Sequence, residues 1–73
     1  MQTVDEMMEQ AFFEGRDPRS AEYKQGARDV LVARMAGSAL PAIPFKVGTA
    51  QADAYLAGRE EGGIIWRTMA AAS

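Results

Sequence analysis

The sequence contains neither histidine nor cysteine. Without imidazole and thiol there is no Ser-His or Cys-His nucleophile, no disulfide, no thiol redox couple and no zinc site of the usual ligands. No apolar run approaches the roughly 18 residues that a membrane span needs. We therefore expect a protein that is not an enzyme and has no metal, cofactor, small-molecule substrate or membrane contact. The lack of cysteine and of a basic-then-apolar export signal favours a cytoplasmic location.

Charge is distributed unevenly along the chain, although the net charge is only −2. Residues 1–14 carry four acidic side chains and no basic one, whereas residues 15–46 carry six basic and three acidic side chains. The basic group has two interpretations: contacts to nucleic-acid phosphates, or ion pairs with acidic residues within the chain or across a dimer. The candidate nucleic-acid contacts are Arg16, Arg19, Lys24 and Arg28. The candidate contacts to a protein partner are Asp5, Glu6, Glu9, Arg28, Arg34 and Trp66.

Two helices are predicted in the first half of the chain, each from a capping residue followed by an apolar stripe. Thr3 and Glu6 have the spacing of a capping box, and apolar side chains recur behind them at helical intervals. Gly15 marks the predicted end of this first helix. Asp17 followed by Pro18 is typical of a helix start, with the aspartate as cap and the proline in the first turn.

Two prolines, Pro41 and Pro44, interrupt the helical pattern and predict an extended connector. Thr49 then caps a third predicted helix. Gly62 and Gly63 lie inside this helix and together cost about 2 kcal/mol relative to alanine. Either the helix breaks at this pair, or close packing against another backbone offsets the cost. The apolar connector residues expected to lie against the helices are Leu40, Ile43, Phe45 and Val47.

Two segments of the sequence resemble each other. In residues 17–26 and 49–58, a capping residue is followed six positions later by tyrosine and then, after three more, by glycine. The similarity is either a chance likeness of capped helices or a duplicated helical unit whose glycine admits a close backbone. The residues expected to serve helix packing or dimerisation are Tyr23, Gly26, Tyr55, Gly58, Gly62 and Ile65.

These observations predict an all-α fold with one small domain over residues 1–73. Its elements are three helices, at about 3–14, 18–36 and 49–70, and an extended proline-containing connector at 38–48. In so short a chain, the free energy gained by burial is largely offset by the entropy of ordering the chain. Because self-association buries additional surface, we expect a homodimer.

The third predicted helix and the turn before it resemble a known family. Pro44-Phe45 precedes, after a spacer, the run YLAGREEG at residues 55–62, and Ile65-Trp66-Arg67 follows. This combination resembles the C-terminal half of the ribosome modulation factor family, which includes short proteins of proteobacteria and phages. The resemblance covers about residues 20–67, and it implies a small helical fold. Ribosome modulation factors themselves bind ribosomal RNA.

The N-terminal segment departs from that family. Thr3 to Glu9 is acidic where ribosome modulation factors are rich in lysine and arginine, and Ile43 stands where they have a cysteine. We therefore expect a small regulator borne by a phage or mobile element. It would bind a host protein stoichiometrically, for example as an inhibitor of bacterial defence or regulation. The alternative is a factor that binds the ribosome and its RNA.

Overall fold

The computed structural model of the protein describes residues 2–71, which form three helices and no β-strand. The helices are α1 (Val4–Ala11), α2 (Ala21–Ala36) and α3 (Ala50–Ala71). The predicted all-α fold is therefore confirmed. None of the three helices combines the length and the apolar character needed to cross a bilayer.

Helix α1 begins as predicted but ends early. The Thr3 hydroxyl accepts a hydrogen bond from the Glu6 amide at 3.2 Å, and the Glu6 carboxylate accepts one from the Thr3 amide at 2.9 Å. This reciprocal pair is the capping box. The helix ends at Ala11, with Phe12 as its C-cap. Gly15, with a φ of 99°, belongs to the loop that follows rather than to the helix terminus.

Helix α2 starts three residues later than predicted. Its N-cap is Ser20, whose hydroxyl accepts a hydrogen bond from the Tyr23 amide at 3.2 Å. The cap predicted at Asp17 is therefore wrong. With the helix beginning after Ser20, the preceding segment stays extended, and Arg16 and Arg19 reach groups on the helices. Gly37 ends α2 in the left-handed conformation, as predicted.

Helices α2 and α3 cross in direct backbone contact at glycines. A Cβ placed on Gly58 of α3 would overlap the backbone carbonyl of Tyr23, and a Cβ on Gly26 of α2 would overlap that of Tyr55. At Gly62 a Cβ would lie 2.7 Å from the carbonyl oxygen of Ala27. Since real Cβ atoms do not approach other atoms this closely, only glycine fits at these positions. Helix α3 runs unbroken through Gly62, so close packing offsets the cost of that residue.

The crossing is reciprocal. Tyr23 of α2 donates its hydroxyl to Glu61 of α3 at 2.7 Å, and Tyr55 of α3 donates its hydroxyl to Asp29 of α2 at 2.5 Å. Each tyrosine thus reaches the carboxylate that stands six positions after the other tyrosine. The residues that make these contacts are related by a shift of 32 positions along the chain. The tyrosines are at 23 and 55, the glycines at 26 and 58, and the carboxylates at 29 and 61. The two helices therefore pack as approximately equivalent halves.

The apolar core lies where α1 packs across one face of the α2–α3 pair, which we term the covered face. Met7 of α1 and Leu31 of α2 are almost completely buried there, beside Ala27 and Ile65. Partly buried side chains surround this centre: Val4, Met8, Ala11, Phe12, Met35, Trp66 and Met69. The apolar stripe of α1 and the stripes of the two longer helices meet at this face.

The connector between α2 and α3 is extended, as predicted, but covers less of the protein than expected. Phe45 is half-buried and packs edge-on to Tyr55, with ring centroids 5.8 Å apart. Ile43 is also half-buried. Val47, however, is 77% exposed, so the prediction that it lies against the helices is wrong, and Leu40 is 48% exposed. The prolines keep this segment from forming a helix.

Candidate functional site

An open groove of about 640 Å³ lies between the C-terminal halves of α2 and α3. Val30 and Ala33 of α2 are buried at its base, and Gly63 of α3 widens it because no side chain projects there. Two apolar side chains that line it, Leu40 of the connector and Ile64 of α3, are 48% and 55% exposed. The groove therefore combines an apolar base with uncovered apolar side chains.

Three arginines line this groove, from both helices. Arg34 and Arg67 are exposed, and neither forms an ion pair with a residue in the 2–71 range. Arg59 packs over the Tyr55 ring at 4.8 Å from the ring centroid and donates to the Tyr55 hydroxyl at 3.1 Å and to the Pro41 carbonyl. Its Nε is buried and has no hydrogen-bond partner among the described residues. One acid, Glu60, also lines the groove, so its charge is predominantly positive.

Helical spacing brings these residues together. Arg59, Gly63 and Arg67 are four positions apart along α3 and therefore share one face of that helix. Arg34 of α2 stands four positions after Val30 of the same helix, and Ser38 lies just beyond the end of α2; both also line the groove. Arg34 was predicted from the sequence as a contact residue, whereas Arg59, Arg67 and the exposed Ile64 were not. The four-residue spacing predicts that Arg59 and Arg67 share one face of α3, but it does not show that this face lines a groove.

A second cluster of charged groups ties the loop after α1 to α3. Both Nη atoms of Arg16 donate to the Glu61 carboxylate at 2.7 Å, and the Tyr23 hydroxyl donates to the same carboxylate. The Arg16 hydrogen bonds are the main cause that lowers the pKa of Glu61. Burial is the main cause that raises the pKa of the Tyr23 hydroxyl. The cluster is internally paired, and it links the loop to α3.

Two of the four basic residues predicted to contact nucleic acid, Arg19 and Lys24, are exposed and line one shallow depression with Arg16, whereas Arg16 and Arg28 form ion pairs. Each of the four lies at ion-pair or cation–π distance from another side chain of the protein: Arg16 from Glu61, Arg28 from Asp5, Arg19 from the Tyr23 ring and Lys24 from the Phe12 ring. Internal pairing, the other interpretation of the basic segment, describes Arg16 and Arg28. Their positive charges are largely offset within the chain.

The residues predicted to contact a protein partner are distributed over different parts of the structure. Asp5 pairs with Arg28, Glu6 serves the capping box and Glu9 is exposed on α1. Trp66 is half-buried against the core at the covered face. Arg34 is the only member of that set that lines the groove.

The residues predicted to serve helix packing lie together at the α2–α3 crossing. Gly26, Gly58 and Gly62 are buried between the helices of one chain. Tyr55 is fully buried beside them, whereas Tyr23 is half-buried and Ile65 belongs to the core at the covered face. Because these side chains are used within the monomer, they leave little surface for a second copy at this position.

The described residues contain no cluster of three or more acidic groups placed to hold a metal ion. No protein-family model, curated protein or solved structure matches this chain. The resemblance to ribosome modulation factors therefore stays an expectation.

Proposed function

We propose that this protein is a small, non-enzymatic regulator that binds another protein stoichiometrically through the groove between α2 and α3. The observation that carries this proposal is the groove itself: a buried apolar base beside the exposed Leu40 and Ile64. Exposed apolar side chains gathered around a concave surface are typical of protein contact sites. Arginines in such a surface strengthen the interpretation, since arginine is enriched at protein interfaces.

The chemistry of the chain agrees with action by contact. The sequence has no imidazole or thiol, and its tyrosines are engaged with carboxylates at the helix crossing. Binding in the groove would instead act on the partner protein by covering the part of its surface that enters the groove. The resemblance to short phage proteins supports a host protein as the target.

Ribosomal RNA is the less favoured partner. Affinity for RNA depends on basic side chains that are free to replace counterions around phosphates. In this chain Arg16 and Arg28 already pair with Glu61 and Asp5, and the net charge is −2. The groove offers apolar surface as well as charge, a combination that suits a protein better than a phosphate backbone.

Affinity capture with matched surface variants tests the proposal. The full chain is immobilised on a support and exposed to lysate of its bacterial host. It should retain a partner protein in a one-to-one complex. Ile64→Asp, within the groove, should abolish retention. Phe13→Asp changes another exposed apolar side chain (57% exposed) outside the groove and should leave retention intact.

Two outcomes would contradict the proposal. One is retention that does not depend on Ile64. The other is co-sedimentation with ribosomes at low salt that is lost at high salt and in an Arg19→Glu/Lys24→Glu variant, because that salt dependence is the signature of phosphate contacts. Circular dichroism of every variant verifies that the helices are intact.

A further inference from the structure

The reciprocal crossing gives the α2–α3 pair two related faces. Tyr23 and Tyr55 are 32 positions apart. The same shift, applied to the residues of the covered face, gives residues that line the groove. On the covered face stand Ala27, Leu31, Met35, Ile65 and Trp66; their equivalents are Arg59, Gly63, Arg67, Ala33 and Arg34. All five equivalents line the groove. The groove is therefore the counterpart of the surface on which α1 packs.

The groove is open because the second half of the molecule lacks two features of the first. Gly63 stands where the covered face has Leu31, so a buried leucine side chain has no counterpart. The residue equivalent to Met8 of α1 is Leu40, which lies in the extended connector at the groove. Since Pro41 and Pro44 prevent a helix there, the surface equivalent to the covered face has no helix across it.

The charges in the groove indicate what kind of helix would fit. Arginine replaces Ala27, Met35 and Trp66 of the covered face, at positions 59, 67 and 34. At the covered face Arg28 pairs with Asp5 of α1, whereas the equivalent residue in the groove is Glu60. A helix bound in the groove would therefore carry carboxylates opposite the three arginines and a basic residue near Glu60.

We propose that the groove binds an acidic amphipathic helix of the partner protein, in the way that the covered face binds α1. This inference rests on the proposed function and specifies the partner. The apolar stripe of the helix would pack on Val30, Ala33 and Ile64, and its carboxylates would pair with Arg34 and Arg67. Helix-in-groove recognition of this type uses anchors at helical spacing.

Selection from a library of helical peptides tests the chemistry without knowledge of the partner. The library has about 15 residues per peptide, a fixed apolar stripe, and acidic, amide or basic residues allowed equally at the flanking positions. Selection against the full chain should enrich aspartate and glutamate. For the best peptide, Arg34→Glu/Arg67→Glu should weaken binding by about tenfold or more, which corresponds to about 1.4 kcal/mol. Arg19→Glu/Lys24→Glu, which changes the net charge by the same amount outside the groove, is the matched control and should leave the affinity unchanged.

Gly63→Leu provides a second variant that does not depend on charge. A Cβ at Gly63 meets only the Arg67 side chain, at 3.4 Å, and position 63 faces the open groove, so we expect the substitution to be compatible with the fold. It restores the leucine present at the equivalent position of the covered face, fills the groove and should abolish binding. Circular dichroism and thermal unfolding should show a folded variant, so loss of binding would report a blocked groove.

The outcomes separate this inference from the proposed function. If Gly63→Leu abolishes binding but basic or uncharged peptides are selected, or charge reversal has no effect, the groove is a protein site and its acidic specificity is refuted. Peptides that bind equally well to Gly63→Leu refute both. Sedimentation equilibrium identifies the remaining occupant: a dimer of the full chain that Gly63→Leu dissociates would show that a second copy fills the groove, and would also overturn the inference.

Discussion

The α2–α3 crossing and the covered face hold the protein together in different ways. At the crossing, backbone meets backbone through Gly26 and Gly58, and no added atom fits. At the covered face, α1 packs through flexible side chains such as Met7 and Met8 around Leu31. Methionine adapts to irregular gaps, so the second contact tolerates small changes of shape. The comparison indicates that geometric precision lies between the two long helices, whereas the short helix is held mainly by apolar burial.

The most severe test of this comparison is Gly58→Leu. Its side chain would overlap the backbone of Tyr23 in α2, and a backbone atom has no alternative rotamer with which to move away. We expect a cost of about 4–5 kcal/mol, which is comparable to the whole stability of a small domain. The cooperative urea transition followed by circular dichroism should be lost.

Gly63→Ala is the control for this variant, in the same helix. Its Cβ meets no backbone atom of another helix, so it should stabilise the protein by up to about 1 kcal/mol through helix propensity. Equal effects at Gly58 and Gly63 would show that the close crossing is not what makes glycine necessary at position 58.

Leu31→Ala tests the covered face. Leu31 is fully buried, and removing its side chain should cost about 3 kcal/mol through lost burial and a residual cavity. Urea unfolding measures the change. Val32→Ala, at the next position and 47% exposed, should change the free energy of unfolding by less than about 0.5 kcal/mol. Similar losses for both variants would contradict the assignment of the buried stripe.

The Arg16–Glu61 pair links the two regions and is expected to depend on pH. The pKa of Glu61 is lowered from its ordinary value of 4.5, chiefly by Arg16 and further by the Tyr23 hydroxyl. The carboxylate therefore stabilises the fold above pH 4.5, and this stabilisation is lost as the pH falls through the lowered pKa. Glu61→Gln should cost about 1 kcal/mol at pH 7 and less at pH 3. A difference between the two proteins that is the same at both pH values would refute this account.

The smallest effect is expected at Asp5 and Arg28, which join α1 to α2. Their side chains are 75% and 46% exposed, and ion pairs in contact with water contribute little. Asp5→Asn should therefore lower the free energy of unfolding by no more than about 0.5 kcal/mol, as measured by urea titration at low salt. A loss as large as that of Leu31→Ala would mean that charge, rather than apolar burial, holds α1.

Local signals in the sequence predicted much of this fold. The capping box at Thr3, the C-cap at Gly37 and the cap at Thr49, which accepts from the Ala52 amide, all appear in the structure. These features depend on neighbouring residues alone. The start of α2 was predicted wrongly because Asp17 and Ser20 are both good caps, and local sequence does not distinguish between them.

The groove was harder to predict because it depends on tertiary structure. The repeated Tyr-Gly pattern gave reason to consider a duplicated unit, but the relation between the covered face and the groove requires the crossing geometry. Arg59 and Arg67 were indistinguishable from ordinary exposed basic residues until α2 was placed beside them. The exposure of Leu40 likewise follows from the path of the connector, which its prolines restrict but do not determine.

The position of Trp66 has a practical consequence. It is the only tryptophan in the chain, and it lies half-buried where α1 meets the two long helices. Its fluorescence emission therefore reports local solvent exposure at that junction, while far-ultraviolet ellipticity is dominated by the longer helices. Recording both signals in one titration would show whether the short helix detaches before the rest of the molecule unfolds.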